Sequence, residues 1–301
     1  MSCTATGTQI QERENFYDSP YLAEHYDLFS ARFWEPERFD VPIYLEAFKQ
    51  ARKATLTTTS LHPFIVLDVG TGSGRVLSGL VLGACEDAPV DLADKDIEFV
   101  GLDVSPHMLS RAAETRPIPR GICTSWVLGS ALDLRAIPLL KGGDAVKVDF
   151  LVFAAGGIAH LADAGQPEAF LREVAAVLQP GRGRAFVSFM NAVMESAVEG
   201  SIDPVKEQQE LPSRKFPGIV YRTINASSEI VGKTHIDRRD ILVIKKETDG
   251  SERVLERNTI STRLASWNPE EFVRMAQAAG LEIVDTIKER VETYYALKLR
   301  D

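Results

Sequence analysis

The chain reads Phe-Ile-Val-Leu-Asp-Val-Gly-Thr-Gly-Ser-Gly from Phe64 to Gly74. A short β-branched run that ends in an acidic residue and a glycine loop is typical of a buried strand that turns into a helix. In open parallel sheets, ligands bind at the carboxyl ends of the strands, and glycines there let the backbone approach the ligand. This stretch therefore predicts an α/β fold with a ligand site at the loop that begins at Gly70.

Strands and helices alternate along the chain beyond the glycine loop. The predicted strands are Ile97 to Asp103, Trp126 to Leu128, Asp149 to Phe153 and Arg184 to Phe189. The predicted helices are Val76 to Cys85, Ser105 to Thr115 and Pro167 to Leu178. This alternation indicates a parallel sheet that is covered by helices on both faces.

The segments on either side of this core differ from it in pattern. The first stretch, to about Leu61, is aromatic-rich and predicted to be helical, with one helix starting near Pro20 and a second from Val41 to Ala54. After Met190, three strands are predicted to form an antiparallel insertion within the α/β domain: Gly218 to Ile230, His235 to Lys246 and Arg253 to Ala265. A helix after Asn268 and strands at Leu281 to Ile287 and Thr293 to Leu299 then resume the α/β pattern. The expected organisation is a helical cap (1–60), a core (61–190), the insertion (191–266) and the last helix and strands of the core (267–301).

Composition and charge limit the classes of function. The formal net charge is −9 over 301 residues, which argues against a general nucleic-acid-binding protein because phosphate neutralisation needs clustered Lys and Arg. For the basic pair Arg238 and Arg239 we favour a solvated strand or turn face. Cys3, Cys85 and Cys123 are widely spaced and odd in number, which argues against a disulfide framework or a metal site. Because no signal peptide and no apolar run of membrane length is found, we expect a cytoplasmic protein without membrane partners.

The glycine spacing disfavours two common nucleotide sites. A dinucleotide fingerprint needs Gly-x-Gly-x-x-Gly, but Arg75 stands at the third position and the extra glycine comes one residue early, at Gly74. A phosphate-binding Walker loop needs Gly-Lys-Ser/Thr after its glycines, and this is absent. An NAD-dependent oxidoreductase is therefore the least favoured enzyme class.

The stretch from Leu67 to Gly74 resembles the first motif of class I S-adenosylmethionine-dependent methyltransferases, whose fold is Rossmann-like. This resemblance implies that Asp68, Gly70, Thr71 and Gly72 lie against the methionine part of the cofactor. Asp68 would complement the cationic cofactor or orient the loop through hydrogen bonds.

The stretch from Gly101 to Leu109 is similar to the second motif of the same family. The resemblance implies that Asp103 accepts hydrogen bonds from both ribose hydroxyls, since two carboxylate oxygens match two donors. Val104 and Met108 are expected either to pack against the adenine or to belong to the core.

Two later stretches resemble the third and fourth motifs. In the third, Ser130 stands where many relatives have Asp, so the adenine amino group is expected to meet its hydroxyl or the backbone N–H of Ala131. In the fourth, the strand that ends at Ala154 is expected to face the transferring methyl group.

His160, within Ala159-His160-Leu161, is the candidate general base, because an imidazole accepts a proton near neutral pH. The segment is similar to the glycine N-methyltransferase-like branch of the family. A bracing role for His160 beneath the active site is an equally open alternative.

Aromatic residues are concentrated in the first stretch: Phe16, Tyr17, Tyr21, Tyr26, Phe29, Phe33 and Trp34. They are expected to form a lid in which Tyr17 and Tyr26 contact the cofactor, or the apolar face of a packing helix, or both. On the substrate side, Arg222 and Trp267 are weaker candidates, and the inserted strands could equally form a dimer interface.

The resemblance implies a three-layer α/β sandwich with a mostly parallel seven-stranded sheet, an antiparallel last strand, an N-terminal helical cap and the antiparallel insertion. The expected activity is methyl transfer to O, N or C of a small molecule, in specialised metabolism, by a monomer or homodimer. Two alternatives remain open at this point. One is a non-methylating cyclase or pericyclase on the same scaffold, and the other is a cofactor-binding regulatory subunit.

Overall fold

A computed structural model describes residues 10–13, 17–33, 40–55, 62–87, 97–141, 146–195, 200–205 and 209–300. The helices in these ranges are α1 (Pro20–Phe33), α2 (Asp40–Thr55), α3 (Arg75–Asp87), α4 (Pro106–Thr115), α5 (Gln166–Val177), α6 (Asn191–Glu195) and α7 (Pro269–Ala278). The strands are β1 (Ile10–Arg13), β2 (Phe64–Val69), β3 (Ile97–Asp103), β4 (Cys123–Leu128), β5 (Phe150–Phe153), β6 (Arg184–Met190), β7 (Gly200–Val205), β8 (Gln209–Pro212), β9 (Ile219–Val231), β10 (Thr234–Lys246), β11 (Glu252–Ala265), β12 (Leu281–Lys288) and β13 (Glu292–Leu299).

The chain forms two compact units. The core unit comprises Glu37–Ser196 and Ala265–Asp301, and the smaller unit comprises Met1–Pro36 and Ala197–Leu264. In the described ranges, no helix has the length and apolar character that a membrane span requires.

The core unit is built on a seven-stranded sheet in the order β12-β13-β6-β5-β2-β3-β4. β2 pairs in parallel with β3 on one side and β5 on the other, whereas β13 runs antiparallel to both β6 and β12. The predicted mostly parallel seven-stranded sheet with an antiparallel last strand is confirmed.

Both faces of this sheet are covered by helices, which explains the continuous apolar run of β2. Every residue of β2 is buried, as expected for a central parallel strand. On one face, the Phe153 ring of β5 packs 4.8 Å from the Phe170 ring of α5. On the other, Phe48 of α2 lies 5.9 Å from Phe150.

Local signals place several helix starts where the sequence predicts them. Ser105 caps α4 by accepting a hydrogen bond from the Met108 N–H, and Pro106 occupies the first turn. Asn268 and Glu271 form a capping box that starts α7. These side chains satisfy N–H groups that have no partner within the helix.

The smaller unit contains a second sheet, ordered β1-β11-β10-β9-β7, with β8 also paired to β9. β9 and β10 are antiparallel and meet at a turn where Gly232 has a φ of 59°. β10 and β11 are joined by a second tight turn, at which the chain reverses again. The three successive strands predicted for this region are confirmed.

The smaller unit also corrects one expectation. Ile10–Arg13 was expected to be helical but forms β1, parallel to β11. β7 and β8, which include Pro204 and Pro212, were not predicted. Both are short, and proline disfavours a central strand, so only their pairing with β9 makes them strands.

Glu24 holds α1 on this second sheet. Its buried carboxylate accepts hydrogen bonds from the Ser213 hydroxyl (2.5 Å), the Tyr221 hydroxyl (2.6 Å) and the backbone N–H groups of Arg214 (3.0 Å) and Lys215 (2.8 Å). Burial alone would raise the pKa of Glu24, but these four donors outweigh it and lower the pKa. The charged carboxylate therefore ties the helix to the start of β9.

Candidate active site

The glycine loop lies where the order of the core sheet reverses. From β2 the chain proceeds outward through β3 and β4, then returns to the other side of β2 with β5 and β6. The loops that follow β2, β3 and β5 therefore diverge at the carboxyl edge of the sheet, which is where open α/β sheets bind their ligands.

The loop backbone requires its glycines. Gly70, Gly72 and Gly74 have φ values of 61°, 57° and 77°, which residues with a Cβ rarely adopt. A Cβ on Gly70 would lie 3.0 Å from the Phe153 ring, and one on Gly74 would lie 2.5 Å from the Trp126 ring. Gly74, which comes one residue too early for a dinucleotide fingerprint, thus leaves room for the Trp126 ring.

Asp68 lies inside the protein at the end of β2. Its side chain is 1% exposed, and the Thr71 hydroxyl donates a 2.7 Å hydrogen bond to its carboxylate. Desolvation raises the pKa of Asp68 to about 7, although the Thr71 hydrogen bond and the charge of Arg75 oppose this rise. The contact with Thr71 is the loop-orienting hydrogen bond considered for Asp68.

Asp103 joins the first motif to the second. One carboxylate oxygen accepts the Gly72 N–H at 2.8 Å, and the other accepts the Ser105 N–H at 2.9 Å. Burial raises the pKa of Asp103, and these backbone hydrogen bonds oppose the rise. Each oxygen has a second lone pair, so even with the Val104 N–H as a third backbone partner the carboxylate can accept a further donor from a ligand.

Apolar side chains flank Asp103 at the same edge. Val104 is 62% exposed, and Leu128, the partner of Asp103 on β4, is 60% exposed. Met108 is 1% exposed, and its methyl group would lie 3.3 Å from a Cβ on Gly72. Val104 and Leu128 thus offer apolar surface to a ligand, while Met108 supports the glycine loop from beneath.

The third motif follows β4. The Ser130 hydroxyl accepts the Leu132 N–H at 3.1 Å, while the backbone carbonyl of Ser130 accepts the Asp133 N–H. Ala131 is partly buried and packs against the core. The hydroxyl therefore stabilises its own turn, and its role toward adenine stays a prediction.

A strained turn follows β5, and no sequence pattern predicts it. Ala154 is partly buried, and Ala155 has a φ of 55°, a left-handed conformation that costs about 1 kcal/mol or more in a residue with a Cβ. The next residue, Gly156, donates its N–H to the Ser188 hydroxyl of β6 at 3.0 Å. Such strain is often kept at functional sites, so Ala155 and Ser188 join the candidate residues.

His160 ends the 3-10 turn Gly157–His160 that follows this strained turn. Its side chain is exposed. The protein around it still lowers the pKa of the imidazole through desolvation, which favours the neutral, proton-accepting form. Because the imidazole is accessible, it can exchange protons with a ligand or with water.

The remaining candidates lie elsewhere in the chain. Tyr17 and Tyr26 of the smaller unit form an edge-to-face ring pair with centroids 5.2 Å apart. Arg222 is paired with Glu210 and Glu252 on that unit's sheet. Trp267 of the core unit packs 5.9 Å from the Phe189 ring. Phe16, Trp34 and the side chain of Phe33 lie outside the described residues.

The residues at the carboxyl edge of the core unit suit a ligand with a cationic end and an apolar end. Asp68 and Asp103 supply acidic groups next to a loop without Cβ atoms, and Val104 and Leu128 supply apolar surface. This donor set fits S-adenosylmethionine. Across the described ranges, no group of three or more His, Cys, Asp or Glu side chains is arranged to hold a metal ion.

Known proteins show similarity over the whole length of the chain. Residues 66–181 match the methyltransferase domain family. The N-methyltransferase FrzE of Cladobotryum sp is 33% identical over 293 residues, which cover 96% of this chain and 98% of that protein.

Two solved structures share the fold. The sugar N-methyltransferase KedS8 of Streptoalloteichus sp superimposes with a TM-score of 0.62 at 16% identity, over 100% of both chains. An S-adenosylmethionine-dependent methyltransferase of Clostridium acetobutylicum gives a TM-score of 0.59 at 11% identity, over 91% of this chain and 98% of that one.

Proposed function

Since the chain belongs to the class I S-adenosylmethionine-dependent methyltransferase family, we propose that it methylates an amine nitrogen of a small molecule in specialised metabolism. Nitrogen is proposed as the atom that accepts the methyl group because the chain is 33% identical to an N-methyltransferase along nearly the full length of both chains. Oxygen and carbon acceptors have no comparable support. The net charge of −9 also favours a small molecule over a nucleic acid.

The cofactor supplies a methyl group on a positively charged sulfur, and the chain has to hold and orient it. We assign the methionine part to the loop residues Asp68, Gly70, Thr71 and Gly72, and the ribose hydroxyls to Asp103. The assignment of Asp103 is supported by its spare lone pair at the carboxyl edge of the sheet.

The adenine and the methyl group are assigned to the remaining candidates. Val104 is proposed to contact the adenine ring, with Met108 supporting the glycine loop behind it and the amino group of adenine at Ser130 or Ala131. Ala154 would lie beside the methyl group, and Tyr17 and Tyr26 would close over the cofactor. The exposure of Val104 supports the adenine assignment.

His160 is the proposed proton acceptor. An amine attacks carbon only through its free lone pair, so it has to be neutral before the C–N bond forms, and the methylated nitrogen then loses a proton. An exposed imidazole with a lowered pKa is neutral at physiological pH and able to take that proton. Methyl transfer otherwise requires alignment and exclusion of water, so few catalytic groups are expected.

His160→Ala tests this role against the bracing alternative. For a base, we expect kcat to fall by about 10²-fold or more with the affinity for S-adenosylhomocysteine unchanged, and a His160-dependent limb to disappear from the pH–rate profile. If kcat and the pH–rate profile are unchanged while the melting temperature falls, His160 is a brace and the proposed base role is wrong.

Acceptor screening by mass spectrometry tests the proposed function itself. The purified protein is incubated with S-adenosylmethionine and matched pairs of small molecules that differ only in carrying an amine or a hydroxyl. We expect amines to gain the mass of one methylene group with equimolar S-adenosylhomocysteine, and Asp103→Asn to reduce both products. Methylation of hydroxyl acceptors alone would contradict the nitrogen assignment. A product of unchanged mass, formed without S-adenosylhomocysteine, would contradict methyl transfer.

A further inference from the structure

The side of the second sheet that faces α1 changes from apolar to polar along β10. Ile241 and Val243 are buried there, and Arg239 is the next residue on the same face, because alternate residues of a strand point to one side. The Arg239 guanidinium carbon lies 5.5 Å from the centroid of the Phe29 ring of α1. The solvated face expected for this arginine is therefore wrong, since its side chain is partly buried beside the helix.

His25 of α1 lies in the same place. Its side chain is 1% exposed, and its ring is 5.6 Å from Tyr221 and 6.2 Å from Phe29. Desolvation and the positive charge of Arg239 lower the pKa of His25 to about 4, so the imidazole is neutral. Within the described ranges, its Nδ1 atom is buried and makes no hydrogen bond.

Thr262 of β11 lies on the same face of the sheet as Arg239. Ile241 of β10 and Ile260 of β11 pack in one cluster with Leu22 of α1 on that face. Arg239 is the next residue of β10 on that face, and Thr262 is the next residue of β11 beyond Ile260. A 2.8 Å hydrogen bond from the Thr259 hydroxyl to the Asp240 carboxylate brings these parts of the two strands together. The Thr262 hydroxyl is buried as well, and it too has no hydrogen-bond partner among the described residues.

We propose that Arg239, His25 and Thr262 bind a ligand that carries an oxyanion, either a carboxylate or a phosphate group. A guanidinium offers a planar fork of donors that matches such a group, and a neutral imidazole and a hydroxyl each add one donor. Buried polar atoms without partners are costly and uncommon, so a ligand that satisfies two of them accounts for their presence. Asp237, two positions before Arg239 on β10, moderates the positive charge.

The proposal goes beyond the proposed function, and binding of the anion can be measured without methyl transfer. Trifluoroacetate serves as the probe, since its fluorine resonance broadens when it exchanges with a protein site. The matched control is Arg238→Gln, because Arg238 is the adjacent residue, is exposed and pairs with Glu229 at 2.8 Å.

We expect wild type and Arg238→Gln to broaden the resonance equally, and Arg239→Gln to bind the probe about tenfold more weakly. Inorganic phosphate is then added. Displacement of the probe at lower concentrations than acetate requires identifies a phosphate site, and the reverse order identifies a carboxylate site. Broadening that survives in Arg239→Gln, or that is lost equally in both arginine variants, would overturn the proposal. If Arg239→Gln does not fold, Thr262→Val gives the same comparison with nearly unchanged volume.

Discussion

Asp68→Asn should change how the stability of the protein depends on pH. Burial raises the pKa of Asp68 from 3.8 to about 7 in the folded state, so between these values the folded protein holds a proton that the unfolded chain has released. Stability therefore falls as the pH rises through this window and levels off above about pH 7. Each pKa unit corresponds to about 1.36 kcal/mol, so a shift of about three units amounts to about 4 kcal/mol.

Asparagine is neutral at every pH, and its side-chain oxygen can still accept the hydroxyl of Thr71. Near pH 4 the variant and the wild type are therefore expected to be equally stable. At pH 8 the variant should be more stable by up to about 4 kcal/mol, with the difference growing by about 1.4 kcal/mol per pH unit between. Arg75 and Asp103 also influence the pKa of Asp68, but both are present in the two proteins.

Urea unfolding at half-unit steps between about pH 4 and about pH 8 measures this difference. Asp133→Asn is the control, because Asp133 is exposed and its side chain makes no capping hydrogen bond. A stability difference between wild type and Asp68→Asn that stays constant with pH would show that Asp68 is ionised throughout, and the reasoning would fail. A cationic ligand should favour the carboxylate, so cofactor binding near pH 6 should release a proton, detectable by calorimetry in buffers of different ionisation enthalpy.

Three single substitutions give further tests. Asp103→Asn replaces one accepting oxygen by a donor opposite a backbone N–H, so calorimetric titration should show S-adenosylmethionine affinity reduced about 10- to 100-fold. Gly74→Ala places a Cβ 2.5 Å from the Trp126 ring and should cost about 2–4 kcal/mol in thermal unfolding, whereas Gly121→Ala, with no atom within 4 Å, should cost only about 1 kcal/mol. Glu24→Gln should destabilise the protein by about 3 kcal/mol, because an amide group then faces donors that the carboxylate accepted; an unchanged urea midpoint would contradict this.

The core could be predicted because its signals are local. A glycine loop after a β-branched run, and Ser or Asn before Pro at a helix start, act within a few residues. α4 therefore begins at Pro106 and α7 at Pro269, where the sequence placed them. The mostly parallel seven-stranded sheet with an antiparallel last strand followed from the resemblance to a known family.

The features that the sequence did not predict depend on contacts between residues that are distant along the chain. β7 and β8 have no strand pattern of their own and exist through pairing with β9. The left-handed Ala155 is supported by a hydrogen bond between Gly156 and Ser188 of another strand. In the sequence, Arg239 and Arg238 form a basic pair of the kind found on surfaces. In the structure, Arg239 lies on the side of β10 that faces α1. At the candidate site, the motifs indicate which residues take part. They do not indicate which atoms of those residues already hold hydrogen bonds within the protein, as the Ser130 hydroxyl does.

The anchoring of α1 has a consequence for how the chain is made. Glu24 and its partner Tyr221 are 197 positions apart, so the helix leaves the ribosome long before the strand that receives it. At synthesis rates of about 5–20 residues per second, the delay is roughly 10–40 s. During this interval β2 to β6 are complete, whereas Leu22 and its neighbours on α1 have no sheet to cover them. The N-terminal helix is thus made long before the strands on which it packs, and a nascent chain that stalls before β9 would present the apolar side of this helix to chaperones.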